Sequence, residues 1–245
     1  IHFSNESNDR SIPSVRDGFK PSIRKIMFSA FKRNLTKEIK VAQLAGYVSE
    51  NAAYHHGEKS LEGAIVGLAH NFIGSNNLNL LVPNGQFGSR LQGGKDAAQS
   101  RYIFTLLSPL TRKIFLDNDD ALLDYLDDDG IPIEPEAYCG IIPMVLVNGA
   151  EGIGTGFSTT IPCYNPLDLI KVIKNKLADK DSVPIKPWYR GFNGTIKKIE
   201  SKSYLTKGTY KVISKSEIII TELPIGVWTE RYIEHLEKCM IEKGK

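Results

Sequence analysis

Long apolar runs and paired cysteines are both missing from this chain of 245 residues. No apolar stretch approaches the roughly 20 residues that a membrane-spanning helix needs, so we expect no membrane partner. The three cysteines, Cys139, Cys163 and Cys239, are odd in number and lack metal-ligand spacing, which predicts a reduced intracellular chain without structural zinc. The N-terminus lacks an initiator methionine and the basic and apolar regions of a secretory signal, so we interpret the chain as part of a longer protein.

The glycine-rich segments lack the spacing of nucleotide-binding loops. Gly-Gly-Lys at 93–95 matches the end of a phosphate loop, but Ser89 stands where the first glycine is required and Asp96 where Ser or Thr is required. The run at 149–156 has the order G-x-x-G-x-G-x-G, and Pro162 falls where the helix of a dinucleotide fold should continue. A nucleotide-dependent enzyme is therefore disfavoured. We expect these glycines to let the backbone bend tightly and approach something large.

Charge is strongly segregated along the chain, although the net charge is only +3. Nine cations and two acids between residues 10 and 40 give this block a charge of +7. Residues 116–136 contain nine acids and no Lys or Arg. The basic block is a candidate phosphate-binding surface, because non-specific nucleic-acid affinity is mostly electrostatic; a solvated helix face is the alternative. The acidic block lacks calcium-loop spacing, so we expect it to be solvated.

Apolar periodicity predicts three helices in the first third of the chain. Stripes at helical spacing begin just after Pro21, at Val41 and at Leu61. Asn76–Val82 followed by the turn at 83–85 is typical of a strand that enters a hairpin. Three helices followed by a hairpin are the outline of a winged helix, a helix-turn-helix variant that binds DNA in the major groove.

Shorter elements are predicted after residue 140. Ile141–Val147 is typical of a buried strand, and Asn165-Pro166 of the cap and first turn of a helix. Ser216–Glu222 is predicted as a strand and Thr229 as the cap of a last helix. Four prolines between 162 and 187 favour a domain boundary in this region.

The pair Arg101-Tyr102 can hold a phosphodiester beside a phenolic oxygen, with Lys95 nearby in sequence. This suits a nucleophile that attacks DNA and stays attached to the broken end. A structural tyrosine is the alternative, because tyrosine occurs ten times in the chain. Ile153, set between two glycines, is either a buried loop residue or a wedge that enters a base step and kinks the duplex.

Eight sequence motifs occur in the order found in one known family. They are Arg-Ser-Ile-Pro-Ser-Val (10–15), Asp-Gly-Phe-Lys-Pro (17–21), Ala-Tyr-His-His-Gly-Glu (53–58), Asn-Phe-Ile-Gly-Ser-Asn-Asn (71–77), Gly-Gly-Lys-Asp-Ala-Ala (93–98), Arg-Tyr-Ile-Phe-Thr (101–105), Val-Asn-Gly-Ala-Glu-Gly-Ile-Gly-Thr-Gly (147–156) and Thr-Glu-Leu-Pro (221–224). With them the chain resembles the breakage–reunion region of type IIA DNA topoisomerases, in the form found in eukaryotes and some large DNA viruses. The resemblance implies an α+β fold, with a winged-helix domain at 1–160 and part of a mixed α/β tower domain at 161–245.

The resemblance assigns roles to individual residues. Tyr102 is implied as the catalytic nucleophile that retains the 5′ end of DNA as a phosphotyrosine, and Arg101 as the stabiliser of charge in the transition state. Ile153 matches an isoleucine that intercalates and bends DNA, and Trp228 a DNA-contacting tryptophan of the tower. The other implied DNA-binding residues are Lys20, Tyr54, Ser60, Arg10, Arg24 and His56. For His56 a structural imidazole is the alternative.

The same resemblance implies cofactors and partners. Mg²⁺ and ATP are expected on domains outside this chain, because the family's metal-binding sequences Glu-Gly-Asp and Asp-x-Asp-x-Asp do not occur here. The implied function is ATP-dependent double-strand cleavage of DNA, strand passage and religation. A non-catalytic winged-helix DNA-binding module is the alternative. We expect double-stranded DNA and a second copy of the parent protein as partners, and the nucleus, or a viral factory for a viral source, as the location.

Overall fold

Eight α-helices, one 3₁₀-helix (Asp117–Leu122) and ten short strands make up the part of the chain described by the computed structural model, residues 2–201 and 203–243. The helices are α1 (His2–Ser11), α2 (Pro21–Lys32), α3 (Val41–Asn51), α4 (Glu58–Ala69), α5 (Thr111–Ile114), α6 (Met144–Val147), α7 (Pro166–Leu177) and α8 (Thr229–Lys243). The strands are β1 (Ile39–Lys40), β2 (Phe104–Thr105), β3 (Tyr125–Asp128), β4 (Ile131–Pro135), β5 (Ala150–Ile153), β6 (Ser158–Ile161), β7 (Thr195–Lys198), β8 (Tyr204–Lys207), β9 (Thr209–Val212) and β10 (Ile218–Glu222). They form two-stranded antiparallel sheets, so the predicted α+β class is confirmed.

Helices α2, α3 and α4 enclose the main apolar core, as the periodicity predicted. Each buries one stripe at helical spacing, and burying a large aliphatic side chain contributes about 1.5–3 kcal/mol. The buried members are Ile26, Met27, Ala30 and Phe31 of α2, Val41, Leu44, Ala45 and Val48 of α3, and Leu61, Ile65, Leu68 and Ala69 of α4. Helix α4 ends at Ala69, and Phe72 lies in the loop that follows it.

The strands of the predicted wing are shorter than expected. Strand β1 pairs with β2, and isolated bridges join Leu81 to Leu107 and Asn84 to Phe104. The prediction of a continuous strand over 76–82 is wrong, and residues 85–103 form a long loop between the two arms. The three helices with this small antiparallel sheet keep the winged-helix outline.

Asn77 explains why the predicted strand does not form. Its buried amide nitrogen donates to the carbonyls of Val147, Tyr164 and Trp188 at 3.0–3.1 Å, and its oxygen accepts from the amide of Arg190 at 2.8 Å. The side chain therefore fastens the region before the wing to three later segments, instead of facing a neighbouring strand.

The predicted strand over Ile141–Val147 is also wrong. Pro143 is followed by the short helix α6, in which Met144 and Val147 are buried. A short apolar run predicts burial, but its periodicity does not separate a strand from a single helical turn. Next to this turn, Cys163 is buried and its thiol donates to the carbonyl of Asn148 at 3.1 Å.

The second half begins as predicted. The side chain of Asn165 accepts a hydrogen bond from the amide of Leu167 at 2.9 Å and caps α7. Strand β10 lies within the predicted segment 216–222. The predicted domain boundary after residue 160 remains a prediction. Strand β6 continues through Ile161, and Leu169 of α7 belongs to the main core, so a cut between 189 and 194 would keep these elements intact.

A buried ion pair fixes the loop between α1 and α2. The Nε and Nη2 atoms of Arg24 donate to the two carboxylate oxygens of Asp17 at 2.8 and 3.1 Å. Asp17 also accepts from the amides of Phe19 and Tyr138 at 2.9 and 3.0 Å. These donors satisfy the buried carboxylate. The ion pair therefore fixes the position of Lys20, which directly precedes α2.

Truncation of this pair tests its contribution. We expect Arg24→Ala to lower the free energy of unfolding by about 3–5 kcal/mol, because Asp17 stays buried without its partner. Urea denaturation measures the change. Arg16→Ala is the control: its 3.7 Å pair with Glu136 is more than half exposed and should contribute at most about 1 kcal/mol. Equal losses for the two variants would contradict the assignment.

Candidate nucleic-acid interface and cleavage turn

Six of the eight predicted DNA-binding residues line one cleft of about 900 Å³. They are Arg10, Lys20, Tyr54, His56, Ser60 and Ile153. They come from α1, the loop before α2, the loop before α4, the first turn of α4 and the tip of β5. The folding of the chain thus brings together residues that are far apart in sequence.

The charge of this cleft is mixed. Arg10 and Lys20 share its wall with three acids, Glu6, Asp9 and Glu151. Lys25 also reaches the cleft, but its ammonium donates to the Ala52 carbonyl at 2.6 Å and pairs with Glu134 at 2.9 Å. The basic block of the sequence is therefore not one uniform surface.

The loop before α4 places aromatic groups in the cleft. Tyr54 is buried, and the exposed ring of His56 contacts it edge to face, with centroids 5.5 Å apart. His56 thus has a structural contact and an exposed face at the same time. Ser60 is exposed in the first turn of α4.

Arg24 and Trp228 are not among the residues that line the cleft. The side chain of Arg24 is 7% exposed and its guanidinium is bound to Asp17, so the predicted direct contact with DNA does not fit this residue. Trp228 is half-buried and contacts Phe72 edge to face, with centroids 5.9 Å apart. Trp228 also packs closely against Gly93, where an added Cβ would overlap the indole.

Ile153 is the last residue of β5, at the tip of the β5–β6 hairpin, where it pairs with Ser158. Its side chain is 76% exposed, and that of the neighbouring Phe157 is 69% exposed. The alternative of a buried loop residue is therefore wrong. Two large apolar side chains at an exposed tip are typical of an interaction site.

The glycines of this hairpin let it approach α1. An added Cβ on Gly152 would overlap the carbonyl oxygen of Ser11 and lie 2.7 Å from the ring of Pro13. The run at 149–156 continues into strand β6 rather than a helix, and Gly93 faces Trp228. These glycines permit close packing within the chain, and neither segment forms a phosphate loop.

Tyr102 is 65% exposed and lies in a turn with Arg101. The guanidinium carbon of Arg101 is 4.9 Å from the centroid of the Tyr102 ring, a cation–π distance. Two amides at the start of α3, those of Val41 and Ala42, donate to the carbonyls of Ile103 and Ser100 at 3.0 and 3.2 Å. The main chain is thus held on both sides of Tyr102, while the phenol remains accessible.

Sequence reasoning missed the side chains that support this turn. Ser100 donates to Glu62 of α4 at 2.6 Å, and Lys59 pairs with the same carboxylate at 3.1 Å. Partial burial acts to raise the pKa of Glu62, but these hydrogen bonds outweigh it and lower the pKa. Asp96 accepts from the amide and hydroxyl of Ser89 at 2.8 and 2.5 Å. The Gly-Gly-Lys-Asp motif could have identified Asp96 as a functional position, whereas Glu62 lies in none of the sequence motifs.

The residues of the acidic block do not fit a magnesium site. Among residues 2–201 and 203–243, no group of three or more His, Cys, Asp or Glu side chains is arranged to hold a metal ion. Asp117 and Asp120 pair with Arg112 at 3.2 and 2.9 Å.

Within the described ranges, 2–201 and 203–243, no helix combines the length and apolar character needed to span a membrane.

The fold and the site combine a winged-helix outline with an accessible Arg-Tyr pair, and comparisons with known proteins identify the family. The profile of the family described as the A-type subunit of DNA gyrase/topoisomerase IV matches residues 10–245. DNA topoisomerase 2 of Arabidopsis thaliana is 55% identical over 248 residues, which cover 100% of this chain and 17% of the relative. The Saccharomyces cerevisiae enzyme of the same name is 55% identical over 236 residues, 96% of this chain and 16% of the relative.

A solved structure gives the same result. The DNA-binding, cleavage and re-ligation domain of Plasmodium falciparum topoisomerase II superposes with a TM-score of 0.96 at 50% identity, covering 98% of this chain and 33% of that one. The chain belongs to this DNA gyrase/topoisomerase IV family, the type IIA DNA topoisomerases, and the predicted family is confirmed. It spans about one sixth of the length of the curated relatives named above.

The contact between α1 and the hairpin is testable through Gly152. We expect Gly152→Ala to push the end of α1, with Arg10, away from the cleft and to lower the free energy of unfolding by about 1–3 kcal/mol. Hydrogen exchange should accelerate at the amides of α1. Gly63→Ala is the matched control, because Gly63 is exposed on α4 with open space around it and should gain about 0.5–1 kcal/mol. Unchanged exchange in α1 would contradict this role of Gly152.

Proposed function

We propose that this chain is the DNA-cleaving and rejoining segment of an ATP-dependent type IIA DNA topoisomerase. The observation that carries the proposal is the accessible Tyr102 phenol beside the Arg101 guanidinium, on a turn whose main chain is fixed to α3. The relatives named DNA topoisomerase 2 and the cleavage domain of similar structure support it.

The proposed reaction is a reversible transesterification. The Tyr102 oxygen attacks a DNA phosphorus, the bond to the 3′ oxygen breaks, and the 5′ end remains on the enzyme as a phosphotyrosine. The phenolic proton ends on the released 3′ hydroxyl, so the number of ester bonds is unchanged and religation is the reverse step. A free phenol has a pKa of about 10 and is a weak nucleophile at pH 7. Arg101 cannot accept the proton, and its role is to stabilise negative charge on the phosphoryl oxygens.

The cleft supplies the DNA-binding surface in this proposal. Lys20 and Arg10 contact phosphates, and Tyr54, Ser60 and His56 line the path of the duplex. Ile153 enters a base step and kinks it, which its exposure at the hairpin tip supports. Trp228, which does not line the cleft, contributes a separate contact through its exposed part, and Arg24 acts indirectly by holding the loop before Lys20.

A second copy of the parent protein and the two cofactors complete the proposed enzyme. Each chain carries one Tyr102, so cutting both strands of a duplex requires two copies, which makes a homodimer the expected state. We assign Mg²⁺ and ATP to parts of the parent protein outside this chain, because the resemblance places both on other domains and the metal-binding sequences Glu-Gly-Asp and Asp-x-Asp-x-Asp do not occur here. The isolated chain is therefore expected to bind DNA without cleaving it efficiently.

We propose the nucleus as the location, because the named relatives are eukaryotic proteins. A relative from Dictyostelium discoideum that is 54% identical is named mitochondrial, so the mitochondrion is the alternative to test by imaging a fluorescent fusion. The relatives give the expected viral factory no support.

A non-catalytic DNA-binding module is the second candidate. The observation in its favour is that the cleft holds six of the predicted DNA-binding residues but not Tyr102. In that case the Arg101–Tyr102 pair would serve only as a stacking surface. DNA affinity does not separate the two candidates, whereas covalent attachment does.

Covalent trapping tests Tyr102 directly. The parent protein, as wild type and as Tyr102→Phe, is mixed with supercoiled plasmid and magnesium chloride and quenched with detergent. We expect protein-linked linear DNA with blocked 5′ ends from the wild type and none from Tyr102→Phe. Tyr210→Phe is the control, since Tyr210 is 67% exposed on β9 and should form the adduct normally. Equal adduct from Tyr102→Phe would place the nucleophile elsewhere, and no adduct from any variant, with DNA binding intact, would favour the non-catalytic module.

Substitution of the hairpin tip tests the wedge. We expect Ile153→Ala to reduce the bend of bound DNA by an amount on the order of tens of degrees, with a smaller effect on affinity, because the side chain no longer unstacks a base step. Fluorescence transfer between the DNA ends reports the bend. Leu177→Ala is the control, because Leu177 is 82% exposed at the end of α7. An unchanged bend with Ile153→Ala would remove the wedge from the proposal.

A further inference from the structure

The loop that leads to Tyr102 is bound by a distant segment of the chain, residues 222–230. Nη1 of Arg90, in the loop, lies 2.5 Å from a carboxylate oxygen of Glu222 at the end of β10. Nη2 of Arg90 donates to the carbonyl of Leu223 at 2.8 Å. The Glu222 side chain is 3% exposed and the Arg90 side chain 23% exposed, so the ion pair is largely removed from solvent.

Two further contacts join the same segments. The amide of Glu230, in the first turn of α8, donates to the carbonyl of Leu91 at 3.1 Å, and its side chain accepts from Gln92 at 3.0 Å. The indole of Trp228 covers Gly93, where only hydrogen fits. Four consecutive loop residues are therefore held from one side.

Internal hydrogen bonds extend this hold towards Tyr102. The amide of Gly94 donates to the carbonyl of Ser89 at 2.9 Å, and Asp96 accepts from the amide and hydroxyl of Ser89. The amide of Ala98 donates to the carbonyl of Gln86 at 2.8 Å. The loop between residues 86 and 98 thus behaves as one braced unit, and a displacement of Arg90 moves the chain that enters the Tyr102 turn.

Glu222 is more than the partner of one arginine. Its second oxygen accepts from the amide of Asn193 at 3.0 Å, which fixes the carboxylate in place. The two Nη groups of Arg90 thus reach two acceptors, the Glu222 carboxylate as an ion pair and the Leu223 carbonyl by a hydrogen bond. A single ammonium group would not reproduce this geometry.

We propose that Arg90 and Glu222 are positioning residues for Tyr102. Their ion pair docks residues 222–230 on the loop, and this docking sets the distance between the Tyr102 oxygen and the phosphate that it attacks. The proposal rests on the proposed function. Neither Arg90 nor Glu222 lines the DNA cleft, which supplies all the proposed direct DNA contacts except that of Trp228, so their loss should slow cleavage far more than it weakens DNA binding.

A double-mutant cycle in the parent protein tests the proposal. The variants are Arg90→Gln, Glu222→Gln and both together, with single-turnover adduct formation and DNA affinity measured separately. We expect each single variant to form the adduct about 10- to 100-fold more slowly, as displacement of a reacting group by about 1 Å can do. DNA affinity should stay within about threefold, and the double variant should be no slower than the slower single variant, because the residues act as one unit.

Two further variants separate positioning from general damage. Arg112→Gln is the matched control, because Arg112 is 27% exposed and paired with Asp117 and Asp120, outside this loop; it should form the adduct at the wild-type rate. Arg90→Lys keeps the charge but loses the fork, so its rate should lie between those of wild type and Arg90→Gln. Thermal melting shows whether each variant is folded, and Arg90→Lys supplies the result if Arg90→Gln is not.

The outcomes are distinct. A wild type that forms the adduct together with wild-type rates for folded Arg90→Gln and Glu222→Gln would overturn the positioning role and leave the proposed function intact. Additive losses in the double variant, or losses of rate matched by equal losses of affinity, would also overturn it. A wild type that forms no adduct would overturn the proposed function and, with it, this inference.

Discussion

The fully bonded amide of Asn77 is the interaction on which the rest of the architecture depends. Its nitrogen donates to carbonyls before β5, before α7 and after residue 187, and its oxygen accepts from Arg190. The bond to the Val147 carbonyl is buried and the other three are partly buried, and a fully buried main-chain group left without its partner costs about 1–3 kcal/mol. One side chain thereby places the hairpin with Ile153 and the second half of the chain relative to the helical core.

Next to it, Asn148 repeats the same principle across the same boundary. Its side chain accepts from the amide of Leu78 at 2.9 Å and donates to the carbonyl of Leu78 at 2.8 Å. The two asparagines bind loops that have no strand partner. Their side chains satisfy main-chain donors and acceptors that a neighbouring strand would pair in a sheet. The residues of the cleft can then hold their positions although they lie on short loops and helix ends.

The cleft that holds the predicted DNA-binding residues and the Tyr102 turn are held in different ways. The cleft is shaped by close approach of backbones, as at Gly152 and Ser11, and by the Arg24–Asp17 pair that orients Lys20. The Tyr102 turn is held by carbonyls that accept from the start of α3. In the proposed function, binding of DNA and attack on it would therefore depend on separate sets of contacts within one chain.

The helices and the family could be predicted from the sequence because each depends on a local pattern, the helices on apolar spacing and the family on short motifs. The stripe of α3 and the motif around Tyr102 need no knowledge of distant residues. The use of Arg24 could not be predicted in the same way, because a cation in a basic block has no local sign that it pairs with a buried Asp17, whose carboxylate also accepts from the amide of Tyr138. The prediction of a strand over Ile141–Val147 failed for a related reason. The apolar run predicts burial, but the conformation depends on Pro143 and on hydrogen bonds that distant segments donate to the carbonyls of this run.

Burial of the Cys163 thiol at the base of the β5–β6 hairpin has a chemical consequence. Removal from water raises the pKa of this thiol to about 12, so it remains protonated at neutral pH. Oxidants and alkylating agents react with thiolates, and this sulfur therefore lies outside their reach while the chain is folded. Cys139 is exposed, so oxidants can reach its thiol at the protein surface. They would not reach the thiol of Cys163 at the base of the hairpin that carries Ile153.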